Sequence, residues 1–374
     1  MHHNTAKTNN SSKRNFDKES LFLRELCAKS ATKSATKGIG DDGVVLSKPL
    51  ARHDKANTTY HNTFATFAKV IDSAREFVIA NDGFCEGIHF KREWLSLEQI
   101  AKKAMLVNIS DMVAMNARPK YALASILLPP LSPKDIVQIA RSLKEVAQDF
   151  GIAFIGGDTM SGDRLEFHIT VFGTPQGKLL FRKGLQKGDL LFCTGRVGES
   201  LKSLQALSRG QKISKNSKRF SCFVAPALRA DFIKSCARFL HCGIDISDGV
   251  YAELNRLSAI NHLGFCLAKK SSIAKRAGGG KSGDKSSDKS GSKGGNKCSD
   301  KRWQAQKPLK SSKVLPRVLQ KSVYLSGEEY EMLFSISPKD KLALLRKAKQ
   351  TRTPLCFIGT ARTKITHFTP KIWH

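Results

Sequence analysis

No run of eighteen consecutive apolar residues occurs in the 374-residue sequence, so a membrane-spanning helix of the usual length is not expected. The nearest candidate, 121–131, is broken by Pro129 and Pro130. The start, Met1-His2-His3-Asn4, lacks the apolar centre of a secretory peptide, and none is expected. No two cysteines are spaced as CxxC; the nine, at 27, 85, 193, 222, 236, 242, 266, 298 and 356, are scattered and odd in number. That pattern suits reduced thiols in a cytoplasm and speaks against a disulfide framework or a zinc site. There is no GxxxxGK[ST] loop and no HRD loop, which removes the P-loop and protein-kinase routes to a nucleotide.

Acidic residues are scarce. The chain has 32 Asp+Glu against 63 Lys+Arg, a net charge of +31, while a 40% apolar content excludes a wholly disordered polymer. Such a balance raises nucleic acid as a partner, but its location argues otherwise. Residues 1–37 carry eight Lys/Arg and three Asp/Glu, and residues 269–321 carry sixteen Lys/Arg and three Asp, so these stretches hold 5 and 13 of the 31 excess charges. The second is rich in Gly, Ser and Lys and nearly free of large apolar side chains. Burial there cannot offset the entropy of ordering, so it reads as a solvated surface insertion. Only Trp303 lies near its lysines, so the aromatic platform of a single-strand binder is missing. Nucleic acid is therefore not the expected partner.

Along the chain, 20–29 reads as a short helix in a polar leader, and 38–46 (GIGDDGVVL) as a glycine turn joined to a strand. A strand is expected at 76–80. From Ser96 the period becomes helical, with Leu97, Ala101, Ala104, Asn108, Asp111 and Met115 on one stripe. A strand at 121–128, a helix from Ser132 to Phe150 with Ser132 as cap and Pro133 next, and strands at 153–155 and 167–173 follow. Gly184–Gly188 reads as a linker. Beyond it come a strand at 190–194, a Gly-rich turn into a helix over 195–207, a helix near 225–240, DISDG opening another helix, SGEEYEMLFSIS, a helix near 339–349 and a strand at 354–358. Strands and helices interleave in both halves, which predicts an α/β or α+β class with two domains. The expected boundaries are a leader at 1–37, an N-terminal domain at 38–183 and a C-terminal domain at 184–374.

The chemistry signal lies in acidic residues set in apolar or glycine-rich surroundings: Asp41-Asp42, Asp82, Asp111, Asp158, Asp245 with Asp248, and Glu328-Glu329. Asp111 shares the helical stripe of Ala104 and Met115, so it points inward with Asn108 one turn earlier. A buried carboxylate is costly without a cation or donors. A set of oxygen ligands without a His/Cys cluster favours Mg²⁺ over zinc. Taken singly, each motif has a plainer reading: GxGDD as an Asx turn, Asp158, Asp245 or Ser247 as helix caps. GGDT and SDG also let a backbone approach a phosphate closely.

In order and spacing, GIGDDGVVL, NDGFCEGIHF, KKAMLVNISDMVAMNARP, FIGGDT, FRKGLQKGDLLFCTG, GIDISDG and SGEEYE resemble the thiamine-monophosphate kinase family of the aminoimidazole-ribonucleotide-synthetase superfamily. The match runs from about Gly38 to Ser337 and continues weakly to Trp373. The resemblance implies a two-domain synthetase-like fold whose N-terminal domain pairs with its twin into a dimeric β-barrel, beside a C-terminal α/β domain. It implies phosphorylation of thiamine monophosphate with ATP and several Mg²⁺ ions by a cytoplasmic homodimer. By the same resemblance Asp42, Asn81, Asp82, Asp111, Asp158, Asp245 and Asp248 hold magnesium. Gly157, Asp158, Arg182 and Ser247 contact ATP, and His89, Glu328 and Trp373 contact the thiamine phosphate. The chain departs from the family pattern at Ala80-Asn81, where a Ser/Thr pair is usual, at Asn116, where Gly is usual, at Met160-Ser161 and at Glu329. The alternatives are another ATP-dependent synthetase of the superfamily, activating an amide or selenium substrate, and a nucleic-acid binder using the insertion.

Overall fold

The computed structural model of the chain describes residues 78–213, 220–268 and 321–369. The expected helix at 20–29, the 38–46 segment with Asp42, nearly all of the lysine-rich stretch and Trp373 lie outside these residues.

The first half builds a four-stranded sheet. Strand β1 (Val78–Cys85) is followed by helix α1 (Leu97–Ala114), β2 (Ala117–Leu128), α2 (Pro133–Asp149), β3 (Ala153–Ser161) and β4 (Glu166–Pro175). Their spatial order is β1-β4-β2-β3, with β2 and β3 parallel and the other pairs antiparallel. Both helices start where capping chemistry dictates. Ser96 accepts from the Gln99 N–H while the Gln99 side chain accepts from the Ser96 N–H, and Ser132 and Asp135 repeat the arrangement ahead of Pro133. Helix α1 is followed by Asn116 at φ 55°, its side-chain N–H groups donating to Gln176 O and Lys178 O at 2.9 Å each. Asparagine tolerates this left-handed geometry better than other residues with a Cβ, which accounts for its standing where glycine is usual.

The second half builds a five-stranded antiparallel sheet. Its elements are β5 (Leu190–Thr194), α3 (Glu199–Ser208), α4 (Ser221–Val224), α5 (Ala230–Cys236), β6 (Leu240–Asp245), α6 (Val250–Asn261), β7 (Gly264–Leu267), β8 (Met332–Ile336), α7 (Lys341–Gln350) and β9 (Leu355–Arg362). The order is β6-β8-β5-β9-β7. One face, with Phe192 and Phe334, shares a continuous core with α1, α2 and the inner face of the first sheet, including Ile100, Met112, Ile126 and Ile169. The opposite face, with Leu191, Cys193 and Leu333, packs on Leu254 and Leu257 of α6. Each fully buried Phe contributes about 1.5–3 kcal/mol over its exposed state. The 184–188 connection is held down rather than loose: Asn261 accepts from the Gly184 and Leu185 N–H groups and donates to Arg182 O.

Three elements differ from the sequence reading. β1 does not stop at Ala80 but runs through Asp82 to Cys85, its ladder to β4 unbroken. GGDT is not a turn after a strand; it lies within β3, where a Cβ on Gly157 would sit 2.0 Å from Ala124 O. The helix near 225–240 is confined to α5, a short 3₁₀ turn follows, and β6 takes the rest. That strand is buried at nearly every position, so the period-two signal is absent.

Candidate active site

The junction between the two sheets is where the acidic residues meet. Asp82 is carried by β1, and its N–H donates to Asn108 Oδ1 at 2.9 Å. Asn108 is buried on α1, its amide returning to Ala104 O at 3.0 Å. Two residues on, Ser110 donates to Asp245 at the end of β6, 2.7 Å away and across the two halves. Asp111 lies beside them on the same helix. Asp248 follows in the turn that opens α6.

The electrostatics place these groups in one neighbourhood. Burial, with the charges of Asp245, Glu328 and Asp248, pushes the Asp82 carboxyl up to about 6. Burial and then Asp245 and Asp82 push Asp111 up to about 8, with Arg182 acting in the opposite sense. Asp245 is raised as well, by burial first, against the help of Ser110, Arg182 and Arg256. Carboxyls that shift upward together mark a place short of positive charge. Every donor in the cluster is oxygen, which fits a hard divalent cation such as Mg²⁺ and does not fit zinc.

The structure also shows cations that the sequence reading missed. Arg256, on α6, pairs with both Asp248 and the buried Glu253. Lys103 is fully buried on α1, its ammonium 2.8 Å from Glu328 Oε2, 4.3 Å from the Phe223 ring centre and 5.6 Å from that of Phe84. Burial alone would raise the Glu328 carboxyl; Lys103 overturns this, with His89 and the Tyr330 hydroxyl adding to it, and holds it below its usual range. Tyr330 donates to Glu328 Oε1 at 3.0 Å, and both residues have positive φ, 51° and 56°. The helical stripe that singles out Asp111 runs along another side of α1, so Lys103 passes in the sequence for one of two exposed lysines.

His89 and Glu328, expected at the substrate, are electrostatic neighbours, and the His89 Nδ1 accepts from the Cys85 N–H at 3.0 Å. Glu328 is buried and its charge already answered by Lys103, so it is less open to a cation than the sequence suggests. Ser247 joins the site through its backbone, its carbonyl accepting from the Glu328 N–H at 2.6 Å. Glu329 accepts from the Gly198 and Ser200 N–H groups at the start of α3, and burial pushes it up to about 7. The Asn81 side chain turns the other way and donates to Thr170 at 2.8 Å.

Asp158 and Gly157 do not join the cluster. Asp158 is exposed on β3, in the row Gly83, His168, Ser125, Asp158 across the sheet. Three strand spacings, about 14 Å, separate the ends of that row. Asp158 also shares the sheet face of Ser125 and His168, whereas Asp82 faces α1. Asp42 and Trp373 lie outside the described residues.

Residues 64–175 match the family model of the AIR synthase related protein, N-terminal domain. The chain is 26% identical over 272 residues to the thiamine-monophosphate kinase of Nitrosopumilus maritimus, covering 72% of this chain and 76% of that protein. Its fold is similar to that of thiamine-monophosphate kinase from Stenotrophomonas maltophilia, with a TM-score of 0.60, 23% identity and coverage of 78% and 84% of the two chains. AaThiL complexed with AMPPCP and TMP is similar with a TM-score of 0.56, 18% identity and coverage of 86% and 96%. A shared N-terminal domain, similarity along most of the length and the carboxylate cluster agree: the chain is similar over most of its length to thiamine-monophosphate kinases, with an N-terminal part that matches the AIR synthase related domain.

Proposed function

We propose that this protein transfers the γ-phosphoryl group of ATP to thiamine monophosphate, giving thiamine diphosphate and ADP, in the cytoplasm. The observation that carries the reading is the convergence of Asp82, Asp111, Asp245 and Asp248 on one inter-sheet junction. The family relatives and the AaThiL complex with AMPPCP and TMP support the substrates.

Asp82, Asp111, Asp245 and Asp248 would hold magnesium, with Asp42 added from outside the described residues. Bound there, magnesium supplies the positive charge that two polyanionic reactants need to approach. Arg256 would have to release Asp248, leaving its guanidinium free for a phosphate oxygen. Arg182, close enough to act on both Asp111 and Asp245, suits a contact to ATP, as does Ser247. His89 and Glu328 form the wall for the thiamine phosphate, and Lys103 and Tyr330 keep Glu328 oriented. The acceptor is a phosphomonoester with a second pKa of about 6, so its oxygen is anionic at neutral pH and no general base is needed. That oxygen bonds to the γ-phosphorus as the bond to the ADP oxygen breaks, in line and without a phosphoenzyme.

The reading includes the domains at 38–183 and 184–374 and a homodimer built on the first sheet. Its outer face carries Tyr121, Leu123, Ile155 and Phe172, with Ile79 59% exposed and Met160 42% exposed. A second copy covering this face and closing the sheets into a barrel would bury that apolar area. It would also set Asp158 and Gly157 against the partner, which accounts for their distance from the cluster within one chain. The test is turnover of thiamine monophosphate and ATP, with thiamine diphosphate and ADP formed in equal amounts. ATP hydrolysis without thiamine diphosphate would point to the amide- or selenium-activating alternative.

A further inference from the structure

On the outer face of the first sheet, away from the carboxylate cluster, Cys85, Glu166 and His168 stand together. Strand register puts Cys85 opposite Glu166 and Gly83 opposite His168, and side chains two residues apart share a face. One ligand atom from each of the three lies within 4.8 Å of the others. Gly83 makes room for the imidazole, since a Cβ there would already stand 3.3 Å from His168 Nδ1. The Glu166–His168 pair is 3.6 Å apart, too long for a hydrogen bond. Among the described residues the Cys85 thiol has no hydrogen-bond partner, so all three ligand atoms are available. From the geometry we infer that Cys85, Glu166 and His168 form a binding site for a borderline-soft divalent metal of the zinc class.

Sulfur, imidazole nitrogen and carboxylate oxygen make a three-ligand set, and a water held on this face beneath a second copy completes the four that zinc accepts. The set is the chemical opposite of the all-oxygen cluster, so the two sites discriminate by softness: magnesium gains little from a thiolate, and zinc gains much. The ligands are far apart in the sequence and none is spaced as CxxC, which is why cysteine spacing does not reveal them. Binding displaces the thiol proton to solvent, one per metal. The site adjoins the turn that carries His89, because the Cys85 N–H donates to His89 Nδ1. A metal on Cys85 would therefore stiffen the base of that turn.

The inference does not depend on the phosphoryl-transfer reading. The experiment titrates Co²⁺ into the full chain with excess Mg²⁺ present, so that the carboxylate cluster is occupied. One Co²⁺ per chain is expected, with a thiolate-to-cobalt charge-transfer band, displaceable by Zn²⁺. C85S should abolish the band while leaving the thermal midpoint in place. H168A, on the outer sheet face and outside the chain's core, should weaken Co²⁺ binding by about tenfold or more, and D111N should leave the band intact. Absence of the band, or its survival in C85S through one of the other eight cysteines, overturns the site.

Discussion

Asp111 is held where folding alone would not keep a carboxylate. Burial and the neighbouring Asp245 and Asp82 charges push its carboxyl up to about 8, so its ionised form is unfavourable until a cation arrives. Asp111→Asn removes both the ligand and the unfavourable charge. Turnover should fall by about a hundredfold or more, the size of loss seen when a group stabilising transition-state charge is removed. The metal-free thermal midpoint should hold or rise. Steady-state kinetics beside a melting curve check this, and a lowered midpoint with retained turnover would contradict the ligand role. Lys103 is the opposite case, a cation whose value is to another residue. Lys103→Met leaves Glu328 buried without its partner and should cost about 3–5 kcal/mol in denaturant unfolding. The double variant Lys103→Met with Glu328→Gln should recover part of that stability but not the affinity for thiamine monophosphate, as a KM measurement would show.

At the scale of elements, α1 organises the site. Its start is written in Ser96 and Gln99, its core stripe in Ala101, Ala104 and Asn108, and its end in Asn116. The left-handed φ of 55° at Asn116 and the two bonds from its amide make a specific prediction. Asn116→Ala should destabilise by roughly 1–2 kcal/mol, from the left-handed cost of a Cβ, with a further loss from the missing bonds. Asn116→Gly should lose less than Asn116→Ala; an equal loss in urea unfolding would assign the whole effect to the bonds. Both helices were legible, the first from its period after Ser96 and the second from its cap Ser132, because local signals and tertiary packing agree there. β6 was not, because a strand buried along nearly its whole length shows no alternation. The placement of GGDT within β3 was hidden by the two glycines that suggest a turn, since Gly157 serves the close approach of β2 instead.

For the whole molecule, the balance of charge is uneven in a way the net figure conceals. A chain of net +31 keeps a site where Asp82, Asp111 and Glu329 are pushed up to about 6, 8 and 7. These folded-state values lie above the ordinary 3.8 and 4.5, so the folded protein binds more protons than the unfolded chain across that range. The contribution of these groups is full below about pH 4 and is lost as pH rises through about 6 to 8. The metal-free protein should therefore lose stability from these groups between pH 5 and pH 8.5 in denaturant unfolding. Millimolar Mg²⁺ should narrow the difference, since it binds the ionised form. A difference that Mg²⁺ leaves unchanged would argue that the cluster does not take the ion. Among the described residues no helix is long and apolar enough to cross a membrane, as the interrupted apolar runs require.

By itself the sequence determined the interleaved α/β class, the starts of α1 and α2, and the acidic residues as the candidates for a site, because caps, periodicity and buried charge act over a few neighbouring residues. Which carboxylates meet was decided only by tertiary structure. Asp82, Asp111, Asp245 and Asp248 converge because two sheets share one core, and Asp158 stays apart because strand order and the pleat carry it to another edge and face. Lys103 beneath Glu328, Arg256 on Asp248, and Cys85 beside Glu166 and His168 belong to the same class. Each joins residues through packing or register across the chain, and no local pattern encodes a contact of that range.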